Sequence, residues 1–109
     1  MAYNIRVLWK TPGAQPNGLQ ATADGLWVLD QVDPNRVYLL NYDNGAILRE
    51  FTTRSKHGSG ITVDPDGHVW VASTFGSEII CYEPDTGREV AAFPAPGLSD
   101  AAGQPHALE

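Results

Sequence analysis

Apolar residues in this chain fall in short runs separated by Asp, Asn, Gly and Pro. Residues 26–29 (Leu-Trp-Val-Leu) and 69–72 (Val-Trp-Val-Ala) are apolar at every position, as in a strand covered on both faces. Shorter mixed runs surround each of them. They predict strands at 19–23, 36–41 and 46–51 around the first, and at 61–64, 78–82 and 88–93 around the second. Asp24-Gly25 and Pro65-Asp66-Gly67 mark one class of turn. Asp43-Asn44-Gly45 and Asp85-Thr86-Gly87 mark another, with glycine where a tight hairpin needs positive φ. No segment carries a capped 3.6-residue period, so the chain reads as all-β.

The pattern is written twice. Gly18, Leu19, Asp24 and Gly25 recur 42 positions later as Gly60, Ile61, Asp66 and Gly67. Val37, Asp43, Gly45 and Phe51 recur as Ile79, Asp85, Gly87 and Phe93. Trp27 and Trp70 lie one residue out of step, an insertion taken up in a turn and removed in the next loop. A period in this range with four strands per unit predicts two β-propeller blades, residues 18–51 and 60–93. Their strands are lettered a to d. Trp27 and Trp70, at the same place in each unit, are expected in the core between blades.

Residues 5–9 match strand d, with Ile5 and Trp9 falling on Ile47 and Phe51, so an extra d strand is expected before the first blade. Residues 94–109 read as a linker and the start of a further blade, because 104–109 echo 15–20. Two blades leave broad apolar faces uncovered, whereas propellers close with roughly four to eight. Completion is expected by further sequence in a ring of about six blades, or by three two-blade copies with cyclic symmetry. The extra d strand and the third-blade stub favour further sequence.

Charge and cysteine content narrow the partners. Thirteen acidic residues against seven Lys and Arg give a net charge of −6, which argues against nucleic acid and anionic membranes. The single cysteine, Cys81, excludes an internal disulfide and reads as an apolar filler of strand c. No apolar run approaches the ~20 residues of a membrane span, and the start lacks a secretion signal, so a cytoplasmic location is expected.

Strand alternation puts the d–a connections and b–c loops on one rim and the two hairpin turns on the other. Candidates on the first rim are Gln15, Asn17, His57, Ser59 and His106, with Asp30, Asp33 and Asn35 from the first b–c loop. His57 and His106 are the catalytic candidates, since an imidazole serves as general base or metal ligand. Asp30, Asp33 and Asn35 offer oxygens suited to calcium, although a Pro-Asn turn uses the same residue types. Asp24, Asp43, Asp64, Asp66 and Asp85 read as turn formers, and His68 follows a turn on the opposite rim.

Residues 60–71 (Gly-Ile-Thr-Val-Asp-Pro-Asp-Gly-His-Val-Trp-Val), residues 24–28 and Pro105-His106-Ala107-Leu108 resemble repeats of the streptogramin (virginiamycin B) lyase group and its NHL-repeat relatives. The resemblance implies a six-bladed ring with a magnesium ion and catalytic histidines near the channel, in Pro-His phrases opening strand a. His106 fits that phrase, while Asn17 and Ser59 stand at the equivalent positions. Gln104 stands where that group carries an acid. Gln15, Asn17, Ser59 and Gln104 are therefore the ligand-binding candidates. The expected function is a binding or scaffold propeller segment with its ligand on the channel rim. The alternative is part of a metal-dependent lyase-like or lactonase-like enzyme, using magnesium or calcium.

Overall fold

A computed structural model describes residues 6–95. Eight strands form two separate four-stranded sheets: β1 (Pro16–Thr22), β2 (Gly25–Asp30), β3 (Arg36–Leu40) and β4 (Ile47–Thr52), then β5 (Gly58–Val63), β6 (Val69–Ser73), β7 (Glu78–Tyr82) and β8 (Glu89–Pro94). Each sheet is an antiparallel meander in chain order. The chain is therefore all-β, with two sheets built as propeller blades, as the repeat predicts. The irregularities repeat as well. Register slips between Pro16 and Gly18 in β1 and between Gly58 and Gly60 in β5. It slips again between Leu39 and Leu40 and between Cys81 and Tyr82.

The blades stack face to face. Trp27, Leu29, Val37 and Leu39 of the first meet Ile61, Val69, Val71, Ile80 and Tyr82 of the second, with Phe51 and Val63 at the margin. Leu29, Val37, Val69, Val71 and Ile80 are fully buried, and Trp27 is 2% exposed. Apolar area removed from water at such a junction is the dominant favourable term in folding. The innermost strands come closest. A Cβ on Gly18 would stand 3.1 Å from Ile61 Cγ2, so a side chain there would press the blades apart. Across the same junction the Thr62 hydroxyl donates to Gln20 Oε1 at 3.2 Å. At the outer edge Arg49 pairs with Asp85 at 2.9 Å.

Both blades use one device at the c–d turn. Gly45 and Gly87 have φ of +71° and +72°. Phe51 lies over Gly87, where a Cβ would come within 2.4 Å of the Phe51 Cβ. Trp9 lies over Gly45 in the same way, and its indole N–H donates to the Tyr42 carbonyl at 2.9 Å. Trp9 thereby covers the outer face of the first blade, Val28, Tyr38, Leu40 and Leu26.

Two expectations concern positions where no neighbouring sheet is described. Residues 6–10 form no strand, because a d strand pairs with strand c of its own blade and no such strand is present among the described residues. Only the packing position of Trp9 matches the repeat. Trp70, expected between blades, faces away from the first blade. Its place in the sheet is that of Trp27, opposite Cys81 as Trp27 is opposite Leu39, but no third sheet covers it among the described residues. It is half-buried and stacks on Phe93 at 6.0 Å. Cys81 lies on the same side and is 3% exposed. Burial first, then the Asp64 and Glu83 carboxylates, push its thiol up, so it remains a neutral filler. The proposed third-blade start at 104–109 lies outside the described residues.

Trp27→Ala should destabilise the protein by about 3–5 kcal/mol in chemical unfolding, as a large-to-small change at a closed core. Trp70→Ala should cost clearly less, because its ring already meets water; equal losses would contradict this placement of the two indoles.

Candidate functional site

The expected convergence of loops occurs. The first b–c loop, the d–a connection and the second b–c loop meet on one rim, around a cleft of about 260 Å³ lined by Gln31, Asp33, Asn35, Lys56, His57 and Phe75. His57 stacks on Phe75 with ring centroids 4.5 Å apart and planes 13° from parallel. Backbone bonds hold the two loops together: the Thr74 N–H donates to the His57 carbonyl at 3.4 Å and the Phe75 N–H to the Lys56 carbonyl at 3.1 Å. His57 itself has a φ of +54°, a left-handed conformation that few side chains adopt without cost.

Asn35 organises this rim from within. It is 2% exposed. Its Oδ1 accepts the Gly58 N–H at 2.8 Å and the Ser55 hydroxyl at 2.9 Å, and its Nδ2 donates to the Gln31 and Val32 carbonyls. Its backbone carbonyl accepts the Thr53 N–H at 2.9 Å. One buried amide thus ties the b–c loop to the connection carrying His57. The polar atoms have nowhere else to turn, which makes each bond obligatory. The sequence offered Asn35 as a rim oxygen ligand or as part of a Pro-Asn turn; its burial and its span to Gly58 were visible only in three dimensions.

The remaining expected residues are drawn into the scaffold. The Asn17 amide donates to the Gly58 carbonyl at 3.1 Å, across the blade junction. The Ser59 hydroxyl accepts from Thr74 at 2.8 Å. Gln15 contributes backbone only: its N–H donates to Asp30 Oδ2 at 3.1 Å and its carbonyl accepts the Gln31 N–H. The other Asp30 oxygen accepts the Val32 N–H at 2.9 Å. Asp30 and Asn35 therefore spend their oxygens on loop structure, and the Asp30, Asp33 and Asn35 set does not fit a bound magnesium or calcium ion. Of the two readings of these residues, the loop carries the turn reading, since backbone donors reach Asp30 and Asn35. Of the sequence-derived candidates, only His57 and Asp33 remain at the cleft with side chains turned to no structural task in the bonds above. His106 and Gln104 lie outside the described residues.

Asp64, Asp66 and His68 gather their ligand atoms within 4.8 Å on the opposite rim. Asp64 accounts for the gathering. Its Oδ1 accepts the Asp66 and His68 N–H groups, and its Oδ2 accepts the Trp70 indole N–H at 2.8 Å. This is a turn locked by one carboxylate, as expected for Asp64 and Asp66. The indole bond, ahead of the two backbone bonds, holds the Asp64 carboxyl below the usual carboxylate range.

A larger cleft of about 410 Å³ lies at the free edge of the second blade, beside Arg54, Glu78 and Phe93. The Arg54 guanidinium already meets Glu89 at 2.6 Å and Glu78 at 2.8 Å, so it offers no spare charge to an anion. The hydrogen bond from Arg54 likewise holds the Glu89 carboxyl low.

Asp64 carries a depressed pKa in the folded state, so its contribution to stability is present above the ordinary carboxylate range and is lost as pH falls through the folded value. Trp70→Phe should raise the Asp64 pKa toward its ordinary value in a carbon-detected NMR titration, and should flatten the acid limb of stability against pH. Asn35→Ala should cost about 1–3 kcal/mol by leaving buried donors unpaired, and should speed amide exchange at Gly58.

Among the described residues, no helix is long and apolar enough to cross a membrane. No curated protein matches the chain. The family described as SMP-30/Gluconolactonase/LRE-like region matches residues 5–102, nearly the whole length. This is a six-bladed propeller family related to the NHL and streptogramin lyase propellers, so the resemblance read from the repeats holds at the level of that wider group. Two propeller blades in tandem, repeating the same turns, bulges and aromatic-on-glycine contacts under that match, make this chain a member of the SMP-30/gluconolactonase/LRE-like family.

Proposed function

We propose that these two blades supply part of a ligand-binding rim, and that they bind rather than catalyse. The observation that carries this reading is the His57–Phe75 pair at the mouth of the rim cleft. Phe75 is 68% exposed and carries the His57 imidazole stacked on it, so the pair offers flat ring surface at the cleft. Lys56 adds a cation and Asp33 an anion beside the rings, while Gln31, its amide held by the Gly58 carbonyl, closes the wall. A cyclic polyol, sugar lactone or aldonic acid combines a flat apolar face with a fringe of hydroxyls, and suits such a wall. The family's lactonases make that ligand class the natural one to try first.

Catalysis finds less support in these residues. The carboxylate and amides nearest the strand openings, Asp30, Asn17 and Asn35, are committed to holding loops. A lactonase-like or lyase-like reaction would draw its metal ligands and its acid–base pair from elsewhere in a ring, with His57 at most a neighbour of the substrate.

Calorimetric or NMR titration of the chain with an aldonolactone and its open-chain aldonic acid tests the reading. Binding is expected to weaken by about tenfold in Phe75→Ala and again in His57→Ala, roughly 1.4 kcal/mol each. Unchanged affinity in both variants, or no binding by the natural chain, would remove the site. Lactone hydrolysis that appears with magnesium or calcium and vanishes in His57→Ala would favour the enzymatic reading instead.

A further inference from the structure

Two Asn-Gly pairs occur in the chain, Asn17-Gly18 and Asn44-Gly45. Asparagine is among the thermolabile residues. Ahead of glycine its side-chain amide is open to the next main-chain nitrogen, because no Cβ stands in the way. The fold places the two pairs differently. Asn17 and Gly18 lie in β1, with Gly18 paired to Leu29 of β2. The Asn17 amide donates to the Gly58 carbonyl across the blade junction, and Gly18 is pressed against Ile61. The main chain there cannot fold back on its own side chain without opening both contacts.

Asn44 is exposed in the c–d turn between β3 and β4, outside any strand. Gly45 has a φ of +71°, and its N–H donates to the Asn41 carbonyl at 2.8 Å. Asn44 Oδ1 accepts the Ala46 N–H at 2.8 Å, and this bond closes a ring of atoms that contains both the Asn44 amide carbon and the Gly45 nitrogen. Opening one exposed turn costs far less than unzipping a strand. The second blade shows that the turn does not need the amide. There Thr86 Oγ1 accepts the Arg88 N–H at 3.2 Å, beside Gly87 at a φ of +72°.

We propose that Asn44 is a site of spontaneous modification, converted through a cyclic imide to aspartate and isoaspartate, and that the fold protects Asn17 from the same reaction. The Gly45 nitrogen attacks Asn44 Cγ and forms a new C–N bond. The Gly45 proton passes to solvent, and the amide nitrogen leaves as ammonia. Water then opens the imide. Attack at the side-chain carbonyl restores the ordinary main chain as aspartate. Attack at the main-chain carbonyl routes the chain through the side chain as isoaspartate, one carbon longer. That carbon enters directly ahead of Gly45, on which Trp9 rests; a Cβ on Gly45 would come within 2.5 Å of the indole. Isoaspartate therefore shifts the seat of Trp9 and breaks its bond to the Tyr42 carbonyl. The site is independent of any ligand on the rim.

Peptide mapping by mass spectrometry, after the full chain is aged at mildly alkaline pH in heavy-oxygen water, reads the reaction. Asn44 is expected to convert faster than Asn17 in the folded chain by about tenfold or more, each product carrying one solvent oxygen. In concentrated urea the two should convert at similar rates. Equal rates in the folded chain, or an Asn44 that stays intact while the urea-unfolded chain converts, would overturn the proposal. Asn44→Thr, which installs the second blade's own turn residue, should stop isoaspartate formation. It should also hold steady the Trp9 indole N–H signal that drifts in NMR spectra as the natural chain ages. Equal drift in both would overturn the link to Trp9.

Discussion

Everything in this molecule depends on one apolar junction, where the odd-numbered side chains of one sheet lie on the facing side chains of the next. Neither sheet has a second layer of its own, so Trp27, Leu29 and Leu39 leave water only because Val69, Val71, Ile80 and Tyr82 do so with them. The junction sets the distance between β1 and β5, and that distance explains Gly18 where the strands nearly touch. It also sets the spacing of the loops above. The rim cleft exists because the b–c loops of two blades are held apart by a fixed thickness of apolar side chains.

On that frame the rim is built largely from polar groups that have already found partners. Asn35, Asn17, Ser59 and Asp30 bind backbone or each other, and so stiffen the loops while withdrawing themselves from chemistry. The cleft side chains left out of those bonds are Asp33, Lys56, His57 and Phe75, while the Gln31 amide donates to the Gly58 carbonyl. The left-handed backbone of His57 belongs to the same economy of space, since it turns the connection sharply enough to bring the imidazole over the neighbouring loop. Rigid support beneath a few exposed groups is a common way for a propeller or barrel scaffold to present a ligand surface.

The aromatic-on-glycine contacts join the repeat to its boundaries. Phe51 and Trp9 show that each c–d glycine expects an aromatic ring from the element before it. The contact works through the missing Cβ and the positive φ together, so the glycine is required twice over. Trp9 reaches that position without being in a strand, which separates the packing role of the segment from its hydrogen bonding. Comparison of Trp9 with Phe51 located the packing role, while strand pairing depends on a partner strand that is not among the described residues.

Local sequence determined the strands, the hairpin turns, the all-β class and the division into two blades, because each rests on short-range chemistry: alternation, apolar runs, and glycine or asparagine at positive φ. It also separated the two rims, since antiparallel order alone decides which loops share an end. Tertiary structure alone decided which equivalent residues became unequal. Trp27 is buried and Trp70 only half-buried at the same register position, because among the described residues only Trp27 has a sheet in front of it. Asn35 is a buried organiser while its repeat counterpart Ser77 is not, because a blade follows one loop and none is described after the other. Only the three-dimensional structure shows that backbone donors claim Asp30 and Asn35, and that the His57 ring lies against Phe75 on the rim.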